Sequence, residues 1–119
     1  MSVAFMTSKR LGYDPGQATY GMSNLRTKTT GLPFIVFISQ RDDARHPARV
    51  KWSRGPKVSK DEMGSYAIAP FAHKAGPRLD ANEEKQLRQW VSLNEHVLRR
   101  YWDAEIAFTE DAIEQLKSI

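Results

Sequence analysis

The sequence predicts an α+β fold: a small antiparallel sheet of three to four strands packed against one long C-terminal helix and one short terminal helix. Three observations carry that reading. Between residues 32 and 71, short apolar runs with strand-like alternation are separated by turn residues. From residue 80 onward the apolar positions switch to a helical period. The connections between the short runs leave no room for helical crossovers, so neighbouring strands must run antiparallel. A chain of 119 residues holds one hydrophobic core and is too short for two. Residues 31–119 are therefore assigned to a single α+β domain and residues 1–30 to a flexible N-terminal tail.

The tail assignment rests on composition. Residues 1–30 contain three glycines, one proline and many Ser, Thr and Asn, with no period of 2 or 3.6. Met22 opens MSNLRTKTTGLPF directly before the first convincing strand, which marks residues 1–21 as the part expected to be dispensable.

The first strand is LPFIVFISQ (32–40), apolar throughout Phe34–Ile38 and rich in β-branched and aromatic residues. Such a run suits a strand buried on both faces, or a central strand of a small sheet. After the polar turn QRDDARHP, the segment ARVKWSR (48–54) alternates Val50 and Trp52 with Arg49, Lys51 and Ser53, which gives one apolar and one polar face. Gly55-Pro56 breaks that run, and Lys57-Val58-Ser59 is the candidate for a further short strand piece. A third run, SYAIAPF (65–71), follows the charged turn KDEMG. Pro70 cannot donate to a ladder, so it belongs at a strand end or sheet edge, and HKAGPRL reads as a loop.

The long helix begins at Asp80, which with Glu83 makes a D-x-x-E capping pattern. Leu87, Trp90, Val91, Val97, Leu98, Tyr101 and Trp102 then fall on one arc at about 100° per residue. A second helix of about ten residues is expected near Thr109, a candidate N-cap, with Phe108 and Ile113 as a hydrophobic staple. Glu110 and Asp111 suit its N-terminal dipole and Lys117 its C-terminal end.

Composition narrows the function classes. With no cysteine, there is no disulfide framework and no thiolate nucleophile or zinc ligand. No apolar run approaches the about 20 residues needed to cross a bilayer, and the N-terminus lacks the apolar core of a secretory signal. A soluble protein of the cytoplasm, with no membrane partner, is the expectation. The net charge of +4 is unevenly spread: residues 1–79 carry 13 Lys/Arg and 5 Asp/Glu, whereas residues 80–119 carry 5 and 9. A basic half of this kind either meets an anion such as nucleic acid or is neutralised by the acidic helix beside it.

The densest stretch is RDDARHPARVKWSRGPK (41–57), with six basic side chains, two carboxylates and a histidine. Asp42, Asp43 and His46 have a spacing that can hold a divalent ion, but adjacent aspartates in a turn tend to point apart, so no metal site and no cofactor are assigned. His73 and His96 lack a sequence neighbour to act with, and no Walker A, Rossmann, H-E-x-x-H or G-x-S-x-G motif occurs. No catalytic residues are assigned. The basic residues are more informative. Arg49 and Lys51 lie two apart on one strand and share a face, with about 7 Å between them along the chain. Arg41, Arg45, Arg54 and Lys57 flank them, and these six form the candidate nucleic-acid-binding set.

Asn94 is the anomaly of the long helix, since it falls in the middle of the apolar arc. A buried amide without partners costs about 1–3 kcal/mol, so Asn94 must tie the helix to a backbone group, expected at a sheet end, or line an interface. Trp90, Asn94, Tyr101 and Trp102 are the candidate interface residues for a protein partner or a homo-oligomer. Arg99 and Arg100 read as a solvated face at a helix C-terminus.

Phe37-Ile38-Ser39, His46, Val50 and the helix pattern Trp90-Val91-Ser92-Leu93-Asn94 followed by Leu98 and Trp102 together resemble a known group. It is a bacterial domain-of-unknown-function family of short proteins, often encoded beside toxin–antitoxin or mobile-element genes. The resemblance spans roughly residues 33–119 and departs from the family's Pro-Pro-His run at Arg45-His46-Pro47. It implies a compact α+β fold and a cytoplasmic accessory role, and it transfers no catalytic residues. The expected function is a small non-enzymatic module that contacts nucleic acid or a nucleic-acid-associated protein. A protein–protein adaptor or homo-oligomer is the alternative, and a metal-dependent hydrolase a distant third.

Overall fold

The computed structural model describes residues 22–41, 44–55 and 62–119. Five strands form one antiparallel sheet in sequential order: β1 (Met22–Leu25), β2 (Ile35–Ser39), β3 (Arg49–Ser53), β4 (Gly64–Ile68) and β5 (Phe71–Ala75). A four-residue helical turn, α1 (Thr27–Thr30), joins β1 to β2. The long helix α2 (Ala81–Trp102) packs across β2 and β4, and the short helix α3 (Thr109–Gln115) packs against α2.

The α+β class is as expected, but the sheet has five strands rather than three to four. The two additional strands are the edges. β1 pairs with β2 in the register Met22↔Ser39 to Leu25↔Val36, so residues 22–30 form β1 and α1 rather than continuing a tail. β5 runs from Phe71, the end of the third apolar run, through His73–Ala75, the first three residues of the segment read as a loop, and pairs with β4. Pro70 lies in the two-residue turn between them, as its missing N–H requires. Edge strands need pairing on one side only, so they carry little of the apolar alternation that reveals interior strands. Residues 1–21 and the Lys57-Val58-Ser59 strand candidate lie outside the described residues.

The core forms between α2 and one sheet face. Val36 and Ile38 of β2, Val50 and Trp52 of β3, and Tyr66 and Ile68 of β4 meet Leu87, Trp90, Val91, Leu98 and Tyr101 of α2. Trp90 is fully buried, and truncating a core residue of this size to alanine costs about 3–5 kcal/mol. The burial on both faces expected for β2 holds: it is an interior strand, and its Phe37, on the face turned from α2, is buried as well.

Both ends of α2 are closed by specific contacts. At the start, the Asp80 side chain accepts from the Glu83 N–H at 2.8 Å, and Glu83 reaches back to the Asp80 N–H, completing the capping box. At the finish, the last four carbonyls of the helix all find donors. Those of Arg99, Arg100, Tyr101 and Trp102 accept from the N–H groups of Asp103, Glu105, Ala104 and Arg41 at 2.8–3.0 Å. Ala104 adopts the left-handed conformation, with φ 62°, to make this turn.

α3 is shorter than expected, and Phe108 takes the N-cap position that Thr109 was expected to hold. Phe108 is 63% exposed and does not act as a staple, while the Thr109 hydroxyl is 2.7 Å from the Tyr101 hydroxyl. Beyond α3 the chain returns to α1, where the Ile119 N–H donates to the Thr30 carbonyl at 2.9 Å. Gly31, at φ 81°, makes this approach possible, because a Cβ there would collide with the Ile119 carbonyl oxygen.

Candidate functional site

The five described members of the six basic residues expected to act together are distributed to three places. Arg54 leaves the end of β3 toward α2, where its guanidinium meets the Glu83 carboxylate through two hydrogen bonds of 2.6 and 2.8 Å and lies 5.0 Å from the Trp52 ring centre. The Glu83 carboxyl is held below the ordinary carboxylate range chiefly by that hydrogen bond from Arg54. Its charge is already engaged in the fold. Arg49 and Lys51, both half-buried, share the sheet face turned from α2, as the alternation required. Lys51 has Phe37 and Ser65 as its cross-strand neighbours, and Arg49 has Ala67. The Arg49 Nε and Ser65 Oγ atoms are buried without a hydrogen-bond partner among the described residues. Lys57, Asp42 and Asp43 lie outside the described residues.

Arg41 and Arg45 are placed differently. They line an open cleft of about 310 Å³ together with His46, Pro47, Ala48, Ile68, Ala69, Arg99, Trp102 and Asp103. Four segments build it: the end of β2, the approach to β3, the β4–β5 turn and the last turn of α2. Backbone and amide contacts hold the first of these against the helix end. The Arg41 N–H donates to the Trp102 carbonyl at 2.8 Å, and the Gln40 side-chain amide donates to the carbonyls of Ile106 and Ala107, both at 3.2 Å. On the opposite side the Ile68 N–H donates to the Ala48 carbonyl. The arginines thus project from an anchored frame.

The depth of the cleft and its edge differ in chemistry. Ile68 and Trp102 are buried and form the base, with Ala48 and His46 half-buried beside them. Arg41, Arg45, Arg99 and Asp103 are exposed and form the edge. The His46 ring lies 5.3 Å from the Trp102 ring, at an interplanar angle of 34°. Its Nδ1 is 2.9 Å from the Pro47 carbonyl oxygen, which can only accept, so Nδ1 carries a proton and Nε2 is the acceptor of the neutral ring. Asp103 is the one carboxylate among the described residues that line the cleft, against three guanidinium groups. Arg99 also contacts Glu95 at 3.2 Å, an exposed i,i+4 pair of the kind worth about 0.3–0.5 kcal/mol.

Arg99 was read as part of a solvated helix face, and the structure brings it to the cleft. The signal for this lay in the spacing: Arg99 and Trp102 are i,i+3 neighbours on one helix face. No comparable signal marks Ile68 and Ala69, which reach the site through the β4–β5 turn.

The four candidate interface residues are all buried in the domain itself. Trp90 and Tyr101 are core, and Trp102 is 7% exposed at the cleft base. Asn94 binds backbone, as a buried amide must, though at the segment after α3 rather than at a sheet end. Its Nδ2 donates to the Lys117 and Trp90 carbonyls at 2.9 and 3.0 Å, and its Oδ1 accepts from the Lys117 N–H at 2.7 Å. Two further arginines outside the expected set engage acids: Arg100 contacts Glu105 at 3.7 Å, and Arg78 is the more closely paired. It meets Glu84, whose Oε2 also accepts from the Tyr66 hydroxyl at 2.5 Å. Among the described residues no three His, Asp or Glu side chains are placed to hold a metal ion, and no helix is long and apolar enough to cross a membrane.

The chain matches no family model, no curated protein and no solved structure. What the fold and site define is a class by architecture: a five-stranded antiparallel meander with one helical layer, and an arginine-edged cleft where the C-terminal end of the long helix meets the sheet.

Proposed function

We propose that this protein is a small non-enzymatic binding module of the cytoplasm that contacts nucleic acid, or a protein carried on nucleic acid, through its basic surface. The observation that carries the reading is the gathering of Arg41, Arg45 and Arg99 around one cleft, with Asp103 as the only opposing carboxylate among the described lining residues. Arginine forks suit phosphate, because the planar guanidinium can donate two parallel hydrogen bonds to one group. Arg49 and Lys51 add positive charge on the other face of the sheet, and Arg54, though exposed, is paired with Glu83.

The adaptor or homo-oligomer reading has less support, since Trp90, Asn94, Tyr101 and Trp102 are already occupied within the domain. A setting beside toxin–antitoxin or mobile-element genes, which the sequence resemblance implies, suits an accessory module of the nucleic-acid kind.

An electrophoretic shift assay at two salt concentrations tests the proposal. Binding should weaken steeply as salt rises, with a log–log slope of about −0.7 to −0.9 for each phosphate neutralised. Replacing Arg41 and Arg45 by Gln should lower affinity and flatten that slope, and reversing Arg49 and Lys51 to Glu measures the share of the sheet face. Affinity indifferent to salt and to both pairs of substitutions would overturn the reading.

A further inference from the structure

We infer that the cleft receives one nucleotide of a single strand, its base against the floor and its phosphate on the arginine edge. This rests on the nucleic-acid reading and narrows it to a ligand class. The argument starts from the two chemistries of the cleft. A patch that held only phosphate would need cations and no recess, yet here the arginines surround a hollow whose base is apolar and aromatic. Ile68 and the Trp102 ring are buried at its bottom, and Ala48 and the His46 ring stand half-buried beside them. The ligand that satisfies both parts has a flat apolar body joined to an anion, and a nucleotide is that molecule.

Size points the same way. A volume of about 310 Å³ is at the lower end of small-molecule sites, which run from about 300 to 1,000 Å³. It accommodates a single nucleotide and is far too narrow for a duplex, whose bases stay stacked inside. Single strands offer their bases freely and bind by stacking on aromatic side chains beside a basic groove. His46 supplies such a surface, and its position is fixed from two sides, by the Trp102 ring at 5.3 Å and by the hydrogen bond from Nδ1 to the Pro47 carbonyl. That hydrogen bond also leaves Nε2 as the acceptor of the neutral ring, able to take a hydrogen bond from an exocyclic amine of a base. Arg99, on the last turn of α2, and Arg41, tied to the Trp102 carbonyl through its backbone, then stand at the edge to hold the phosphate.

The test is fluorescence anisotropy of the full chain with a labelled 12-nucleotide single strand and with a hairpin duplex of the same length, at low salt. Two substitutions spare every charge at the edge: Ala69→Tyr, which fills the cleft from an exposed turn position, and His46→Ala, which removes the stacking surface. Each should weaken single-strand binding about tenfold, as the loss of one stacked base does, and change duplex binding less than twofold. Circular dichroism melts check that each variant is folded, and since either substitution alone can carry the test, one unstable variant does not spoil it. Adenosine monophosphate should compete with the single strand at concentrations where inorganic phosphate does not.

If Ala69→Tyr and His46→Ala leave single-strand binding unchanged while Arg41→Gln and Arg45→Gln weaken it, the nucleotide pocket is wrong and the nucleic-acid reading stands. If neither nucleic acid binds at low salt, or an acidic or phosphotyrosine peptide binds more tightly than both, the two fall together.

Discussion

At the N-terminal end of α2 two arginines face two glutamates, whereas at its C-terminal end three arginines line a cleft with one aspartate. Both ends lie against the same sheet, and the difference begins with the helix dipole. The positive N-terminal end favours acidic residues in its first turn, here Glu83 and Glu84, and these draw in Arg54 from β3 and Arg78 from the preceding loop. The negative C-terminal end favours cations, and Arg99 and Arg100 occupy its last turn. Arg41 joins them there because its backbone N–H closes the helix. The arginines near the start of α2 are therefore closely paired, at 2.6 Å, whereas those near its finish make longer contacts, Arg99 with Glu95 at 3.2 Å and Arg100 with Glu105 at 3.7 Å. Counting arginines along the sequence cannot make that distinction.

The comparison can be broken most forcefully at Tyr66, whose hydroxyl joins the N-terminal cluster by donating to Glu84 and accepting from the Leu79 N–H at 3.0 Å. Tyr66→Phe leaves that buried N–H without a partner and should cost about 1–3 kcal/mol in urea unfolding, with nucleic-acid affinity unchanged. The same hydroxyl sets an alkaline limit. Burial and the Glu84 hydrogen bond push Tyr66 up to about 12 in the folded state, from 10.0 for a free tyrosine. The unfolded chain thus loses its phenol proton first, and stability should fall as pH rises from 10 through about 12, a loss absent in Tyr66→Phe. On the acid side the signs reverse. Arg54 and Arg78 hold the Glu83 and Glu84 carboxyls below their ordinary range. Their contribution is present above the ordinary carboxylate pKa and is lost as pH falls through the lowered values, which an acid titration followed by circular dichroism would show.

Smaller effects sharpen the contrast. Asp80→Ala removes the helix cap and should cost about 1 kcal/mol. At the other end Ala104→Gly should stabilise by about 0.5–1 kcal/mol, because the left-handed conformation at φ 62° suits glycine. Arg54→Gln and Arg78→Gln should each cost less than about 1 kcal/mol, since both guanidinium groups are largely exposed, and neither should alter binding. Arg41→Gln and Arg45→Gln should change stability by less than about 0.5 kcal/mol, and binding far more. If the last two pairs exchange phenotypes, the division between the ends of the helix is wrong.

Much of the framework was legible. The Asp80–Glu83 box and the arc from Leu87 to Trp102 located α2 because capping and helical periodicity are local properties. The alternation of Val50 and Trp52 with Arg49 and Lys51 placed β3 for the same reason. The edge strands were not legible. Ser23 and Asn24 in β1, or His73 and Lys74 in β5, become strand through a neighbour's backbone rather than through their own pattern. The candidate site was half legible. Arg41 and Arg45 were named, but their company, Arg99 and the β4–β5 turn, comes from elements distant in sequence. Asn94 stood out as a buried amide, yet its partner, Lys117, sits 23 residues away in a segment read as the end of the short helix, which stops at Gln115.

The return of that segment to α1 has a kinetic meaning. Every strand of the meander pairs with its sequence neighbour, so the sheet can assemble by successive short-range steps. The bond from the Ile119 N–H to the Thr30 carbonyl spans nearly the whole described chain, and the Lys117 bonds to Asn94 lock the same stretch onto α2. Closure of this loop costs the most chain entropy and should come last. In pulse-labelling hydrogen exchange, the amides of Lys117 and Ile119 should gain protection after those of β2 to β4, recording the moment at which the two extremities of the described fold are joined.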